Sequence, residues 1–177
     1  MPGTRRISNL TLIGFMGTGK STAGRIIANT LHFGFLDTDH LIEARAGKSI
    51  SSIFAEDGEP VFRDWERRVT AELEAKRRTV IAAGGGLPVG AGNLDSLKSH
   101  SLVVCLWASP EVIWERVRSH SHRPLLKEAD PRKKIRELLA VRERYYRQAD
   151  VLVNTELRPL REVATQVIHQ FRMAQGQ

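Results

Sequence analysis

A single cysteine among 177 residues excludes an internal disulfide. Cys105 lies in the apolar run Leu102-Val103-Val104-Cys105-Leu106-Trp107 and reads as a small buried hydrophobe, not as a reactive thiol. No hydrophobic stretch reaches the length needed to cross a bilayer. The opening Met1-Pro2-Gly3-Thr4-Arg5-Arg6 is basic but has no apolar segment of secretory type. The expectation is a cytoplasmic protein with no membrane partner. Internal repeats, low-complexity tracts and linkers are absent, and 177 residues suit a single domain, 1–177, with a core of useful size. Aromatics make up only 6%, and none cluster in the manner of a base-stacking surface. Acidic residues are in the minority: 20 Asp and Glu against 27 Lys and Arg leave a net charge of +7. Such a balance favours anionic partners, whether nucleic acid, nucleotide phosphates or a carboxylate. The basic residues are spread over several segments with no long tail, which sets nucleic acid aside.

Glycine is where the chain is rich in information. Gly14-Phe15-Met16-Gly17-Thr18-Gly19-Lys20-Ser21 has the spacing G-x-x-x-x-G-K-S, with Thr22 following. The apolar run 9–13 precedes it, and Ala23, Ile26, Ile27 and Leu31 recur behind it at helical spacing. Strand, glycine loop and helix are the context a phosphate-binding loop requires. The backbone N–H groups of Gly17, Thr18 and Gly19 can surround a phosphate, aided by the positive end of the helix. Lys20 would reach the β- and γ-phosphates, and the Ser21 hydroxyl would ligate Mg²⁺.

Apolar runs at 9–13, 33–36, 79–83, 102–107 and 151–153 alternate with helical patterns. The pattern predicts a three-layer α/β/α fold with a five-stranded parallel sheet. In such a fold ligands gather beyond the carboxyl ends of the strands. After the second run stand Asp37-Thr38-Asp39, whose carboxylates, two residues apart in extended chain, point the same way. They can divide the tasks of holding Mg²⁺ and orienting an acceptor alcohol; alternatively Asp39 caps a helix over 41–46. Gly47 reads as a helix C′ residue and Ser49 as an N-cap, with Ile50, Ile53 and Phe54 forming the next apolar side.

A helix over 59–77 carries Phe62, Trp65, Val69 and Leu73 on one stripe and Arg63 and Glu66 on another face. Arg63 either grips a substrate carboxylate with Glu66 orienting it, or forms a surface pair with Glu59. After the third run, Gly84-Gly85-Gly86 offers bare backbone to a ligand, since an ordinary turn needs one or two glycines. After the fourth, Ser109-Pro110 starts a helix that ends near Arg116. The polar segment 119–130, with Arg123-Pro124-Leu125-Leu126, reads as a lid; His120 and His122 lack further ligands for a metal site. Over 131–148 the stripe Ile135, Leu138, Leu139, Tyr145, Tyr146 is broken by Arg142. A cation on an inward face needs an anion. A substrate carboxylate, Asp150, or a snorkelling pose would each meet that need. The last helix, with Leu160, Val163, Val167, Ile168 and Phe171, reads as structural.

In combination these residues resemble the shikimate kinase family over nearly the whole chain. The matching pieces are the glycine loop, Leu36-Asp37-Thr38-Asp39, Gly58-Glu59 with Phe62-Arg63 and Glu66, the triplet Gly84-Gly85-Gly86, and Arg123-Pro124-Leu125-Leu126. The resemblance implies a P-loop fold of the nucleoside-monophosphate-kinase type and a monomer. It implies transfer of the γ-phosphate of MgATP to the 3-hydroxyl of shikimate, a step towards chorismate and the aromatic amino acids. By the same resemblance Asp39 is the base, Asp37 serves Mg²⁺ beside Ser21, and Arg63 and Arg142 hold the carboxylate. Gly85 and Gly86 lie against the substrate, with Gly84 beside them; Arg123 meets the phosphates, Arg116 stacks on adenine, and Arg158 is the best match for a second adenine-side arginine. The family often shows R-x-P-x-Y where this chain has Arg142-Glu143-Arg144-Tyr145-Tyr146, with Arg144 in the proline's place. The alternatives are another P-loop kinase, for gluconate or a nucleoside monophosphate, and a non-catalytic nucleotide- or nucleic-acid-binding module.

Overall fold

The apolar runs become five parallel strands in the computed structural model, which describes residues 5–119 and 129–176. They are β1 (Asn9–Ile13), β2 (Gly34–Asp37), β3 (Thr79–Ala82), β4 (Ser101–Trp107) and β5 (Val151–Asn154), in the order β2-β3-β1-β4-β5. Parallel neighbours need long crossovers, and helices supply them. These are α1 (Lys20–Leu31), α2 (Thr38–Ala46), the short α3 (Ile50–Ser52), α4 (Glu59–Leu73), α5 (Asn93–His100), α6 (Pro110–Val117), α7 (Pro131–Tyr146) and α8 (Leu160–Ala174).

Alternation along the central strands sends side chains to two apolar layers. Leu10, Leu12, Val104 and Leu106 pack with Ile27 of α1 and Val167 and Phe171 of α8. Ile13, Val103 and Cys105 face the other way, onto Leu97 of α5, Ile113 of α6 and Ile135 of α7. Each such side chain contributes about 1.5–3 kcal/mol when fully buried. A third, smaller cluster of Ile42, Ile53, Phe62 and Val69 holds α2 to α4. From β1 the chain runs to one side of the sheet and later, through β4, to the other. The crevice at that switch lies beyond the end of β1, where the glycine loop begins.

Several boundaries differ from the sequence pattern, each for a local reason. The Phe33 N–H still bonds to Ala28 O of α1, so strand pairing starts only at Gly34. The helix after β2 begins at Thr38, because the side chain of Asp37, not Asp39, is its N-cap. α4 stops at Leu73, where the tight bonds Glu74 N–Ala71 O and Lys76 N–Leu73 O turn the chain towards β3. Beyond α3 the backbone widens into a π-helical turn, Ile53–Asp57, which leaves Phe54 42% exposed instead of on an inner face. Ser49 and Ser109 cap their helices as the pattern predicts, and Gly47 takes the left-handed C-cap of α2. α7 runs unbroken through Arg144 to Tyr146. Among the described residues no helix is long and apolar enough to cross a membrane.

Candidate active site

The glycine loop leaves β1 pressed against β4. A Cβ on Gly14 would strike the Leu106 carbonyl, and the residue's φ of 138° suits only glycine. Thr18 is fully buried and turns its hydroxyl inward to Phe15 O, so only its backbone is available to a ligand. Lys20 Nζ donates to Gly14 O and Phe15 O at 2.8 and 2.9 Å, which holds the ammonium over the loop. Gly19 begins α1 with no side-chain cap, so the amides of the first turn face a cleft of about 280 Å³. Gly17, Gly19, Lys20, Ser21, Thr22 and Arg116 line it. Arg116 is fixed there by Gly17 O at 3.2 Å, Thr155 Oγ1 at 2.9 Å and Thr155 O at 2.6 Å.

A second cavity of about 480 Å³ adjoins the first, with Lys20 and Ser21 lining both. Asp37 and Asp39 divide their work at this junction. Asp37 Oδ1 accepts from Asp39 N at 3.0 Å and so caps α2, while Oδ2 accepts from Ser21 Oγ at 2.8 Å. The capping duty weighed for Asp39 therefore belongs to its neighbour, and the Asp39 carboxylate stays in the cavity. Burial raises the Asp39 pKa above the usual carboxylate range; Asp37 pushes it further up, while Lys20 opposes the rise. A base tuned upward in this way is better matched to proton transfer near neutral pH.

Across the cavity, α4 presents Arg63 to Glu66 at 2.7 Å and to Glu59 at 2.8 Å. Both alternatives for Arg63 are present together, but they are unequal. Glu59 is 61% exposed, whereas the Glu66 side chain is 2% exposed. Burial raises the Glu66 pKa and the Arg63 hydrogen bond counters it. The buried carboxylate holds Nη1 of the guanidinium, and the Arg63 side chain, 36% exposed, lines the cavity.

The triplet forms the floor. Thr38 Oγ1 accepts from Gly84 N at 2.8 Å. A Cβ on Gly84 would collide with Asp39 Oδ1, one on Gly85 would come within 3.2 Å of Arg142 Nη1, and one on Gly86 within 2.7 Å of Arg63 Nη1. The three glycines thus let backbone approach the three charged groups in turn. Arg142 lies over the Phe15 ring at 5.3 Å, with Tyr146 beside it. Asp150 is not its partner: that carboxylate is taken by Arg5 at 2.6 Å and Val103 N at 2.8 Å. Phe54 and Phe62 pack at 4.7 Å as an aromatic wall of the same cavity.

The structure therefore brings together Lys20, Ser21, Asp37, Asp39, Arg63, Gly84, Gly85, Gly86 and Arg142, with Gly17, Gly19, Thr22 and Arg116 in the adjoining cleft. Arg158 is not among them; its guanidinium bonds to Gln166 of α8 at 2.7 Å, on the surface. Arg123, His120, His122 and all of 119–130 except its ends lie outside the described residues. The sequence pattern did not single out Thr38, Tyr146 or Thr155. Tyr146 carried a signal, since it stands four residues after Arg142 and shares its helix face.

Known proteins resemble this chain in sequence and fold. A family model described as "Shikimate kinase" matches residues 16–172. The shikimate kinase of Caldanaerobacter subterraneus subsp. tengcongensis is 41% identical over 170 residues, covering 96% of this chain and 99% of that protein. The solved structure of shikimate kinase from Acinetobacter baumannii in complex with shikimate superposes with a TM-score of 0.89 at 36% identity, over 96% and 95% of the two chains. A gluconokinase from Sinorhizobium meliloti, at 18% identity and a TM-score of 0.62 over 97% of each chain, shares the fold alone. With a family model spanning most of its length and a relative of this identity, the chain belongs to the shikimate kinase family.

Proposed function

We propose that the two adjoining cavities are the nucleotide and acceptor sites of an ATP-dependent shikimate kinase, and that the residues lining them perform the transfer to the 3-hydroxyl. The product pair is shikimate 3-phosphate and ADP, and the step serves the shikimate pathway and aromatic amino acid biosynthesis. One observation carries the site assignment. A glycine triplet and two arginines, from helices far apart in sequence, meet an up-tuned aspartate at the mouth of the phosphate loop. An acceptor with a carboxylate at one end and a hydroxyl at the other fits that arrangement. Arg63 and Arg142 take the carboxylate end, which leaves the hydroxyl beside Asp39.

Little covalent chemistry is asked of the protein, so positioning and charge neutralisation supply the acceleration. Lys20 offsets charge on the phosphoryl oxygens. Asp39 orients the hydroxyl and receives its proton. In the nucleotide cleft the α1 amides and the backbone of Gly17, Thr18 and Gly19 hold the phosphates, with Ser21 and Thr22 at the helix start and Arg116 at the base. The Arg123 role at the phosphates and the Arg158 role at adenine rest on the resemblance.

Mg²⁺ fits the donors present. Ser21 Oγ and Asp37 Oδ2 lie 2.8 Å apart as hard oxygen donors beside the loop. Among the described residues no group of three His, Cys, Asp or Glu could hold a metal, as suits an ion bound through one carboxylate, waters and substrate phosphates. When bound, the ion would neutralise charge on the nucleotide phosphates. The whole chain acts as one kinase domain, with 38–75 forming the acceptor-side helices, in a cytoplasmic monomer.

An ADP-release assay with ATP and a panel of acceptors (shikimate, gluconate, nucleoside monophosphates) tests the assignment. ADP formation that depends on shikimate is expected. Turnover with gluconate or a nucleotide and none with shikimate would overturn it. Steeply salt-dependent polynucleotide binding without acceptor turnover would point instead to a nucleic-acid module.

A further inference from the structure

The triplet is pinned at its start by Thr38, and a second pin, from α7, has a consequence for the acceptor. Tyr146 is 6% exposed and its hydroxyl donates to Gly85 O at 2.7 Å. Burial pushes its phenol up to about 12, so the hydroxyl remains a donor throughout the working range. The Gly85–Gly86 peptide is trans, and in a trans peptide the C=O and N–H point in opposite directions. Holding the Gly85 carbonyl towards α7 therefore turns the Gly86 N–H away from it. Among the described residues neither the Gly85 nor the Gly86 N–H donates a backbone hydrogen bond. Gly86 is also the glycine nearest Arg63, and Gly85 the one nearest Arg142. Tyr146 stands four positions after Arg142 on α7, so the two share a face, and Arg142 Nη1 and the tyrosine hydroxyl both lie beside Gly85, 3.2 and 3.7 Å from where its Cβ would stand.

We propose that Tyr146 is a positioning residue for the acceptor: by one hydroxyl it sets the direction of the Gly86 amide and the placement of Arg142, so that amide and guanidinium present donors to one anionic group. The inference rests on the acceptor site assigned above. Tyr146 touches no reacting atom, and its effect belongs to acceptor binding, not to phosphoryl transfer.

Tyr146→Phe keeps the ring and its packing and removes only the hydroxyl. The expected result is a rise of about 3- to 10-fold in the KM for shikimate, the size of one neutral hydrogen bond, with the ATP KM and kcat within twofold of wild type. In an Arg142→Ala background the same change has a smaller factor, because both act on one end of the acceptor. On the unaltered protein, the Gly86 amide resonance shifts when shikimate is added. An unchanged shikimate KM, equal rises in both KM values, or a Gly86 resonance indifferent to shikimate would overturn the inference. Wild type that fails to turn over shikimate would overturn the site assignment itself, which is a different result from active wild type with an unaffected variant.

Discussion

Replacing Gly84 by alanine should move the proposed base, Asp39, and little else. The new Cβ would collide with Asp39 Oδ1 and lie 3.3 Å from its Cγ. The Gly84 backbone is outside the left-handed region, so alanine adopts it without strain. The Thr38 Oγ1 bond to Gly84 N involves the backbone and survives. Among the described residues the group nearest that Cβ, and the one that must yield, is the Asp39 carboxylate. A displacement of about 1 Å at a reacting group costs about 10²-fold in rate. That is about 2.7 kcal/mol of transition-state stabilisation. We expect kcat to fall by about that factor, with an ATP KM near wild type and a melting temperature within a few degrees. The neighbouring glycines provide the contrast. Alanine at 85 or 86 meets the ends of Arg142 and Arg63, so Gly85→Ala and Gly86→Ala should raise the shikimate KM more than they lower kcat. The measurement is steady-state ADP release for the three variants, with thermal melts as the control on folding. A Gly84→Ala enzyme with kcat within threefold of wild type would refute the placement of Asp39 as base. So would the same KM-dominated defect at all three positions.

Other outcomes follow from the same geometry. Asp39→Asn should retain ATP binding by calorimetry and lose most turnover; wild-type turnover would remove the base assignment. Because burial raises the Asp39 pKa, the native state binds a proton more tightly than the unfolded chain, so this group's contribution to stability falls as pH rises from the unfolded to the folded pKa. Asp39→Asn should thus melt higher than wild type at neutral pH, and the gap should close below about pH 4, near the ordinary carboxylate value. The acid limb of kcat/KM should likewise sit above the usual carboxylate range in wild type. Arg63→Ala should raise the shikimate KM and leave the ATP KM alone. It should also cost about 2 kcal/mol of stability by urea unfolding, because Glu66 is left buried without its partner. Cys105 is buried and its thiol is pushed up to about 12, so a thiol reagent at pH 8 should leave the native protein unlabelled.

Fold and site were legible in the sequence to different depths, and one physical signal accounts for much of the difference. Strand runs could be read because β1, β3 and almost all of β4 are buried, so their composition follows from burial alone. Helix ends were less visible. A side-chain cap such as Asp37 and a turn closed by backbone bonds after Leu73 leave little trace in hydrophobic spacing. In the site, Arg142 stood out as a cation on the apolar stripe of α7. Glu66 offers the same anomaly on α4. The buried series there is Phe62, Glu66, Val69 and Leu73, at intervals of four, three and four, and the acid occupies a core position. A stripe drawn through the half-buried Trp65 conceals it, because tryptophan fits the apolar pattern better than glutamate does. An ionised group on an inward stripe costs several kcal/mol unless something of opposite charge or a wet cavity meets it. One such residue on each of two helices, opposite in sign, says that the helices converge on shared polar space. Glu66 meets that cost through Arg63, and Arg142 looks into the same cavity, 480 Å³ of it, beside the phosphate loop. The Tyr146 pin stays beyond this reasoning, since a tyrosine on an apolar stripe is unremarkable until the carbonyl it holds is known to belong to Gly85.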